Sequence, residues 1–534
     1  MRRRPIPLVL AAGFFAAGAL AGSSRAQSPR PIGEVATLQV ARGLEVEDAW
    51  VGDVDGDGEI DVLVAASDPK RPRARSLNVF RGSSKSPLLA SRPDPVLELT
   101  PDVVAWATGD VDPARGEEIV LFSARGAFAW RPSEKPEQRF ARLVELDFLW
   151  QLADDEECWA YPAALVDLDR DQKVDLVVPE PDGYAVALQA QAPASGFGPV
   201  AHLRLPDDAW AGDPLRKRRL EGQEEEGRSR RIELRFGDAE DVRKPRELLS
   251  VAERTPAPQI LDFDADGRLD LLAQGRTRLY VWTQPEKGAF AAAPRFAFPL
   301  PVPVDREREL DASYSSHAID TAADGRADVA IFAGDKRSSD VRTQLLLFVQ
   351  GAGRGEAKQP AEAPLFGAKN LPQQLLVLGG FVAGASFGDL DGDRRPDLFV
   401  RAVRPDLIDQ LRSASTETLD ADVYVYRNEN GLFAKRPDVS WRVNIPIKDF
   451  DLTLTFLGDV DGDGLSDLLV RDRPERLRVL PLRRGREGLA LSETPIFEMS
   501  LDPRARIRVV RRPGRRGADV LALAEDQVQC ARFR

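Results

Sequence analysis

Short apolar runs alternate with acidic, glycine-bearing turns along nearly the whole chain. Leu63-Val64, Leu176-Val177-Val178, Leu271-Leu272, Leu398-Phe399-Val400 and Leu468-Leu469-Val470 each follow such a turn. Runs of this length, rich in β-branched and large apolar residues and bounded by turn residues, predict buried strands. Later segments such as Leu279-Tyr280-Val281-Trp282 and Val423-Tyr424-Val425-Tyr426 add aromatic and β-branched residues, which suit a pleated surface. With 41 Gly and 40 Pro spread throughout, turns are frequent and long helices are not expected.

The turns themselves repeat. The clearest copies start at Asp53 (DVDGDGEIDVLV), Asp167 (DLDRDQKVDLVV), Asp262 (DFDADGRLDLLA), Asp389 (DLDGDRRPDLFV) and Asp459 (DVDGDGLSDLLV). Weaker copies start at Asp110 and Asp320, and an eighth survives from Arg511, aligned through Asp519. Spacings of roughly 50 to 70 residues fit a four-stranded antiparallel blade with its turns. One interval, from Asp167 to Asp262, is longer and contains a charged stretch at about 216–246, read as a loop insertion, where added length costs little. The expected fold is therefore all-β, a single β-propeller over residues 31–534. Eight blades are favoured, with seven as the alternative. Gly33 to Val40 reads as a strand ahead of the first loop, and only two strands follow the last one, at Asp519 to Leu523 and Gln527 to Phe533. A first strand that completes the last blade would hide both sheet edges and close the ring.

Carboxylates at positions one, three, five and nine of a tight loop, with a carbonyl at position seven, place oxygen around one hard cation, the calcium preference. Without a cation they would repel one another. Five loops carry the full set: Asp53, Asp55, Asp57 and Asp61; Asp167, Asp169, Asp171 and Asp175; Asp262, Asp264, Asp266 and Asp270; Asp389, Asp391, Asp393 and Asp397; Asp459, Asp461, Asp463 and Asp467. Gly at position four or six, as at Gly56, Gly267 or Gly464, allows the left-handed turns required. The Asp110 loop has Ala114 at position five and Glu118 at nine, and the Asp320 loop has Ala322 at three, so both should bind poorly. In the eighth copy Arg511 and Arg515 replace ligands, and a guanidinium is expected to pair with Asp519. Recurrence in phase with the blades makes the expected role structural, with Ca2+ as the ion.

These residues resemble the FG-GAP/VCBS repeats of the integrin alpha N-terminal propeller and of many exported bacterial proteins. The resemblance rests on the loop motif, as in Phe387-Gly388-Asp389-Leu390-Asp391-Gly392-Asp393, with the preceding Gly repeated at Gly52, Gly109 and Gly458. It implies a β-propeller that acts as an adhesion or ligand-binding platform, and it assigns no catalytic residue. The chain departs from the pattern at Asp110, Asp320 and the last copy, and has eight copies where the integrin propeller has seven blades.

The N-terminus changes the setting. Arg2, Arg3 and Arg4 precede an apolar run from about Ile6 to Ala21 and then Ser24-Arg25-Ala26, the order of a secretory signal peptide spanning residues 1–26. The run is too short and Gly-broken for a membrane anchor, so the mature protein is expected to be secreted or periplasmic, with no membrane span. Loss of four arginines moves the formal net charge from −12 to −16, a surface that disfavours nucleic acid. Cys158 and Cys530 are the only cysteines, and their pairing is left open by the sequence.

Catalytic chemistry is thinly provided. Only His202 and His317 are present, neither within a recognisable catalytic or metal arrangement, so a binding module is expected in preference to an enzyme. A structural scaffold is the first alternative and a propeller hydrolase or lyase a more distant one. The segments ahead of the loops are expected to link an outer strand to the next inner one, on the face opposite the Asp loops. Their aromatic residues Trp50, Trp106, Trp159, Tyr161, Tyr314 and Phe381 are candidates to bind a protein or glycan, or else to pack between blades.

Overall fold

The computed structural model describes residues 33–533 with breaks, the longest at 207–228, 234–249, 351–370 and 404–417. The candidate signal segment, most of the inserted stretch and Arg515 lie outside the described residues. Ser229–Glu233, from the insertion, pairs antiparallel with Ser250–Arg254 just after it.

Eight antiparallel blades follow one another in chain order. The first is representative: Glu45–Gly52, Asp61–Asp68, Arg71–Phe80 and Val96–Leu99 lie side by side in sequence order. First strands of neighbouring blades touch, as in the first three blades and between the eighth and the first, so the first strands line the central axis and the fourth strands face outward. Each Asp loop joins a first strand to a second, which puts all of them on one face of the disc.

Packing explains why the second strands carry an unbroken apolar run after their first residue. Side chains alternate across a strand, and each blade is covered on both faces. In Asp61–Asp68, Val62, Val64 and Ala66 pack toward the last blade, whereas Leu63 and Ala65 pack toward the second. Both sets are fully buried. Eight separate apolar clusters result, one in each gap between adjacent blades, including the gap between the last blade and the first. That complete circuit settles the blade number at eight.

The ring closes as the sequence suggests. Gly33–Gln39 pairs antiparallel with Gln527–Phe533, Gly33 opposite Phe533, and becomes the outermost strand of the eighth blade. Next to this seam the axis is crowded with charge. Glu47 sits at a bulge in the first strand and, with Asp48, is buried. Arg508 Nη2 donates to Asp48 Oδ2 at 2.7 Å, and Arg75 Nε donates to Glu47 Oε1 at 3.2 Å. Glu47 Oε2 also accepts the amide of Cys158, and Asp48 Oδ2 that of Ala160. This holds a short fifth strand, Trp159–Ala160, in parallel pairing along the first strand of the second blade. Cys158 and Cys530 are buried in different gaps and are not joined.

In the eighth loop Asp519 pairs with Arg532 of the last strand (Nε to Oδ2, 3.3 Å), a partner the sequence did not suggest, whereas the Arg511 guanidinium reaches the Phe456 carbonyl; a pairing with Arg515 falls outside the described residues. Arg532 Nη2 also donates to the Ile60 carbonyl of the first blade at 2.9 Å. Arg532 therefore serves the degenerate copy from the strand beside it and ties the seam as well. Both partners are almost wholly buried, so an Arg532→Met substitution, which strands a buried carboxylate, is expected to destabilise the domain by about 3–5 kcal/mol. A thermal or denaturant melt with an unchanged midpoint would refute that role.

Candidate metal centres

Each complete loop is built by its own side chains before any ion is considered. The first-position Asp accepts the amide of position six: Gly58 to Asp53, Gln172 to Asp167, Gly267 to Asp262, Arg394 to Asp389 and Gly464 to Asp459, at 2.9–3.0 Å. The fifth-position Asp accepts the amide of position seven in all five. These are the local side-chain turns that Asp favours. They require left-handed backbone at positions four and six. Gly392 shows why glycine is wanted: its φ is +81° and an added Cβ would lie 2.6 Å from the Gly464 carbonyl of the next loop. Where glycine is missing, Arg170, Gln172, Ala265 and Arg394 adopt the same positive φ, at about 1 kcal/mol each.

The ninth-position Asp does something the sequence reading did not assign to it. Asp61, Asp175, Asp270, Asp397 and Asp467 are at most 1% exposed. In each, Oδ2 accepts the amide of loop position two, from Val54, Leu168, Phe263, Leu390 or Val460, at 2.8–3.0 Å. In four of them Oδ1 accepts a second amide from the end of the third strand or just beyond it, from Gly82, Gln189, Gln284 or Asn428. The weak copies keep the clamp: Glu118 accepts from Val111, and Asp328 from Thr321 and Gln350. The clue was in the sequence, because an acid at position nine survives where the acid at three or at five is lost.

Burial is the main influence on these acids. It pushes Asp61 and Asp175 up to about 6, and Asp270, Asp397 and Asp467 up to about 7, against the pull of the amide hydrogen bonds, with neighbouring loop carboxylates pushing the same way. In five places three carboxylates offer oxygens within 4.8 Å of one another: Asp53, Asp55 and Asp57; Asp167, Asp169 and Asp175; Asp262, Asp264 and Asp270; Asp389, Asp391 and Asp397; Asp459, Asp461 and Asp467. Asp61, Asp171, Asp266, Asp393 and Asp463 stand beside these groups in their loops. Three oxygens, Asp53 Oδ1, Asp167 Oδ1 and Asp467 Oδ1, are buried without a hydrogen-bond partner among the described residues, an arrangement that suits a cation, since an unsatisfied buried carboxylate oxygen is costly. The all-oxygen donor set fits a hard ion. The Asp110 and Asp320 loops form no such group among the described residues.

The candidate aromatic residues are not gathered in one place. Trp50, Trp106, Tyr314 and Phe381 belong to first strands, not to the connections between blades. Trp106 is fully buried and Trp50 is half-buried against the gaps on either side of the first blade. Tyr161 is half-buried and meets Phe122 edge-on. The Tyr314 side chain lies outside the described residues. Trp159, on the added strand at the axis, is 55% exposed. On the loop face, a cleft of about 470 Å³ adjoins the Asp262 loop and is lined by Asp266, Arg268, Thr283, Glu286 and Arg295 among others.

Residues 262–331 match the FG-GAP-like repeat family. No curated protein matches the chain. Among solved structures, an Agrocybe aegerita lectin that recognises non-reducing terminal N-acetylglucosamine is 15% identical, over 86% of this chain and 93% of that one, at a TM-score of 0.37. The V. cholerae biofilm matrix protein is 11% identical over 93% and 88%, at 0.36. A rhamnogalacturonan lyase of Bacillus licheniformis is 11% identical over 93% and 73%, at 0.31. Superpositions at this level leave the blade count to rest on the sheets of this chain. With eight closed blades, an Asp loop between the first two strands of blade after blade, and a matching repeat at 262–331, the chain is an FG-GAP-repeat β-propeller protein.

Proposed function

We propose that the protein is an exported, calcium-stabilised propeller that serves as a binding module for a protein or glycan. The observation that carries the metal part is the recurrence of five carboxylate groups with buried, unpartnered oxygens in three of them. Calcium bound there would neutralise each group and cross-link the first and second strands of its blade. Export is supported by the charged, apolar and small-residue order of residues 1–26. No helix among the described residues is long and apolar enough to cross a membrane.

A binding role is favoured over catalysis by the state of the two histidines. His317 is half-buried between Phe332 and Phe387, with ring centroids 5.5 Å away on each side, and burial lowers its pKa. His202 is on the surface against Glu180. The surfaces best suited to a ligand are two separate ones: the exposed Trp159, and the cleft beside the Asp262 loop, where charged side chains stand among Trp282, Pro285 and alanines.

Isothermal titration with calcium is expected to saturate near five ions per chain, and chelator to lower the melting temperature. A midpoint indifferent to chelator removes the calcium reading. The pH dependence has a definite sign. The ninth-position acids are raised in the ion-free fold from 3.8 to about 6–7, so their contribution is fully present below about pH 4 and is lost as pH rises through 6 to 7. In chelator the melting temperature should fall between pH 5 and 7.5, and the gap to the calcium-loaded protein should widen over the same range. Equal slopes with and without calcium would contradict this. A glycan array with and without calcium tests the binding reading. Trp159→Ala should weaken any hit at least tenfold, and full retention of binding would remove Trp159 from the site.

A further inference from the structure

Resting on the binding reading above, we infer that the end of the central axis opposite the Asp loops is a sugar site. Trp159 supplies its stacking face, and Glu157 and Arg506 hold the hydroxyls of a neutral pyranose. Among the described residues the second blade alone carries a strand inside its first, the pair Trp159–Ala160. It runs parallel to Val103–Gly109, with Trp159 opposite Ala105 and Ala160 opposite Trp106. That register sets it beside the first half of the strand, away from the Asp110 loop that follows Gly109.

Alternation along the added segment sorts its side chains. Cys158 and Ala160 are buried in the gap between the first and second blades, so Glu157 and Trp159 turn the other way, toward the axis. Of the described tryptophans, Trp106, Trp130 and Trp282 are buried and Trp50 and Trp441 are partly so, whereas Trp159 is 55% exposed. Glu157 is met from the eighth blade by Arg506, Nη1 to Oε2 at 2.6 Å, and the same guanidinium donates to the Glu47 carbonyl. Arg506 begins its strand, Arg506–Val510, and so stands at the same end of the axis. The two side chains of this pair are 38% and 40% exposed.

These open residues stand on a buried support. Glu47 and Asp48 accept the amides of Cys158 and Ala160, and Arg75 and Arg508 pair with the two acids. Buried ion pairs gain little stability over apolar packing. What they secure here is a two-residue strand placed outside the four that build the blade. A rigid support behind an open aromatic ring is what a binding site needs, because little freedom is then lost when a ligand docks. The ligand class follows from the groups presented. An indole face takes the C–H face of a ring. A carboxylate accepts and a guanidinium donates, which matches neighbouring hydroxyls that do both. Their charges cancel, so an anion would meet Glu157 and a cation Arg506, and a neutral sugar is favoured over either.

The test is isothermal titration of the full chain with neutral trisaccharides of glucose, galactose, mannose and N-acetylglucosamine, beside a galacturonate trisaccharide and choline as charged probes. At least one neutral trisaccharide is expected to bind, once per chain. Trp159→Ala and Glu157→Ala should each weaken it about tenfold. Phe140→Ser, which removes an exposed ring from the outer strand Phe140–Val144, should bind as wild type. If Trp159→Ala lowers the melting temperature, Glu157→Ala carries the test. A charged probe that binds more tightly than every neutral one overturns the sugar class. Neutral binding left intact by both axial variants overturns the placement, while the binding reading stands. No heat from any probe overturns the site and leaves a protein ligand as the remaining form of that reading.

Discussion

A single interaction recurs through seven blades: a buried acid, nine residues into the loop, that accepts the amide of loop position two. It fixes the path from first to second strand, and in most blades its other oxygen fixes the end of the third strand as well. The clamp uses main-chain donors, so it is indifferent to the side chains around it, which is why Glu118 and Asp328 serve in loops that have lost other ligands. A carboxylate sunk this deeply is unfavourable when charged unless something answers the charge. In five loops the neighbouring acids make that demand sharper. In the eighth blade Arg532 meets it without an ion.

The loops also reach sideways. The amide of Glu117 donates to the Asp53 carbonyl, Leu269 to Leu168, and Ser466 to Leu390, each bond running from one loop to the loop of the preceding blade. In a fourth gap the Gln350 amide side chain bridges the Phe263 and Ala327 carbonyls. The face that holds the acids is thus a belt of hydrogen-bonded turns, and an event in one loop has a short main-chain route to the next. Below the belt, cohesion is apolar and comes from residues that alternate between two neighbours.

Much of this was legible in the sequence. The blade architecture followed from the phase of the Asp loops, and the closing strand from an unpaired segment at one end and missing strands at the other. Alternation within Asp61–Asp68 was less legible, because a strand covered on both faces shows a continuous apolar run and no period. The acids of the five loops were found by spacing, but the division of labour among them was not, since a ligand and a main-chain clamp are both written as Asp. The arginines that pair with loop acids escaped for a different reason. Arg81, Arg295 and Arg483 stand some 20 to 30 residues from the acids they touch, and only the fold of a blade brings a third-strand terminus beside its first loop. Trp50 and Trp106 were misplaced because short connections put the residues before each loop in the inner strand itself.

The pairing of Gly33–Gln39 with Gln527–Phe533 separates two time scales of folding. Within a blade every contact is between strands close in sequence, so each four-stranded unit is able to form soon after it is synthesised. The seam joins segments some five hundred residues apart, and bringing such distant ends together is slow even though its entropic penalty grows only with the logarithm of the length. Until the last strand arrives, the apolar flank of the first blade and an open strand edge face solvent together. The seam is accordingly the stage of assembly at which this chain is most exposed to pairing with another copy of itself.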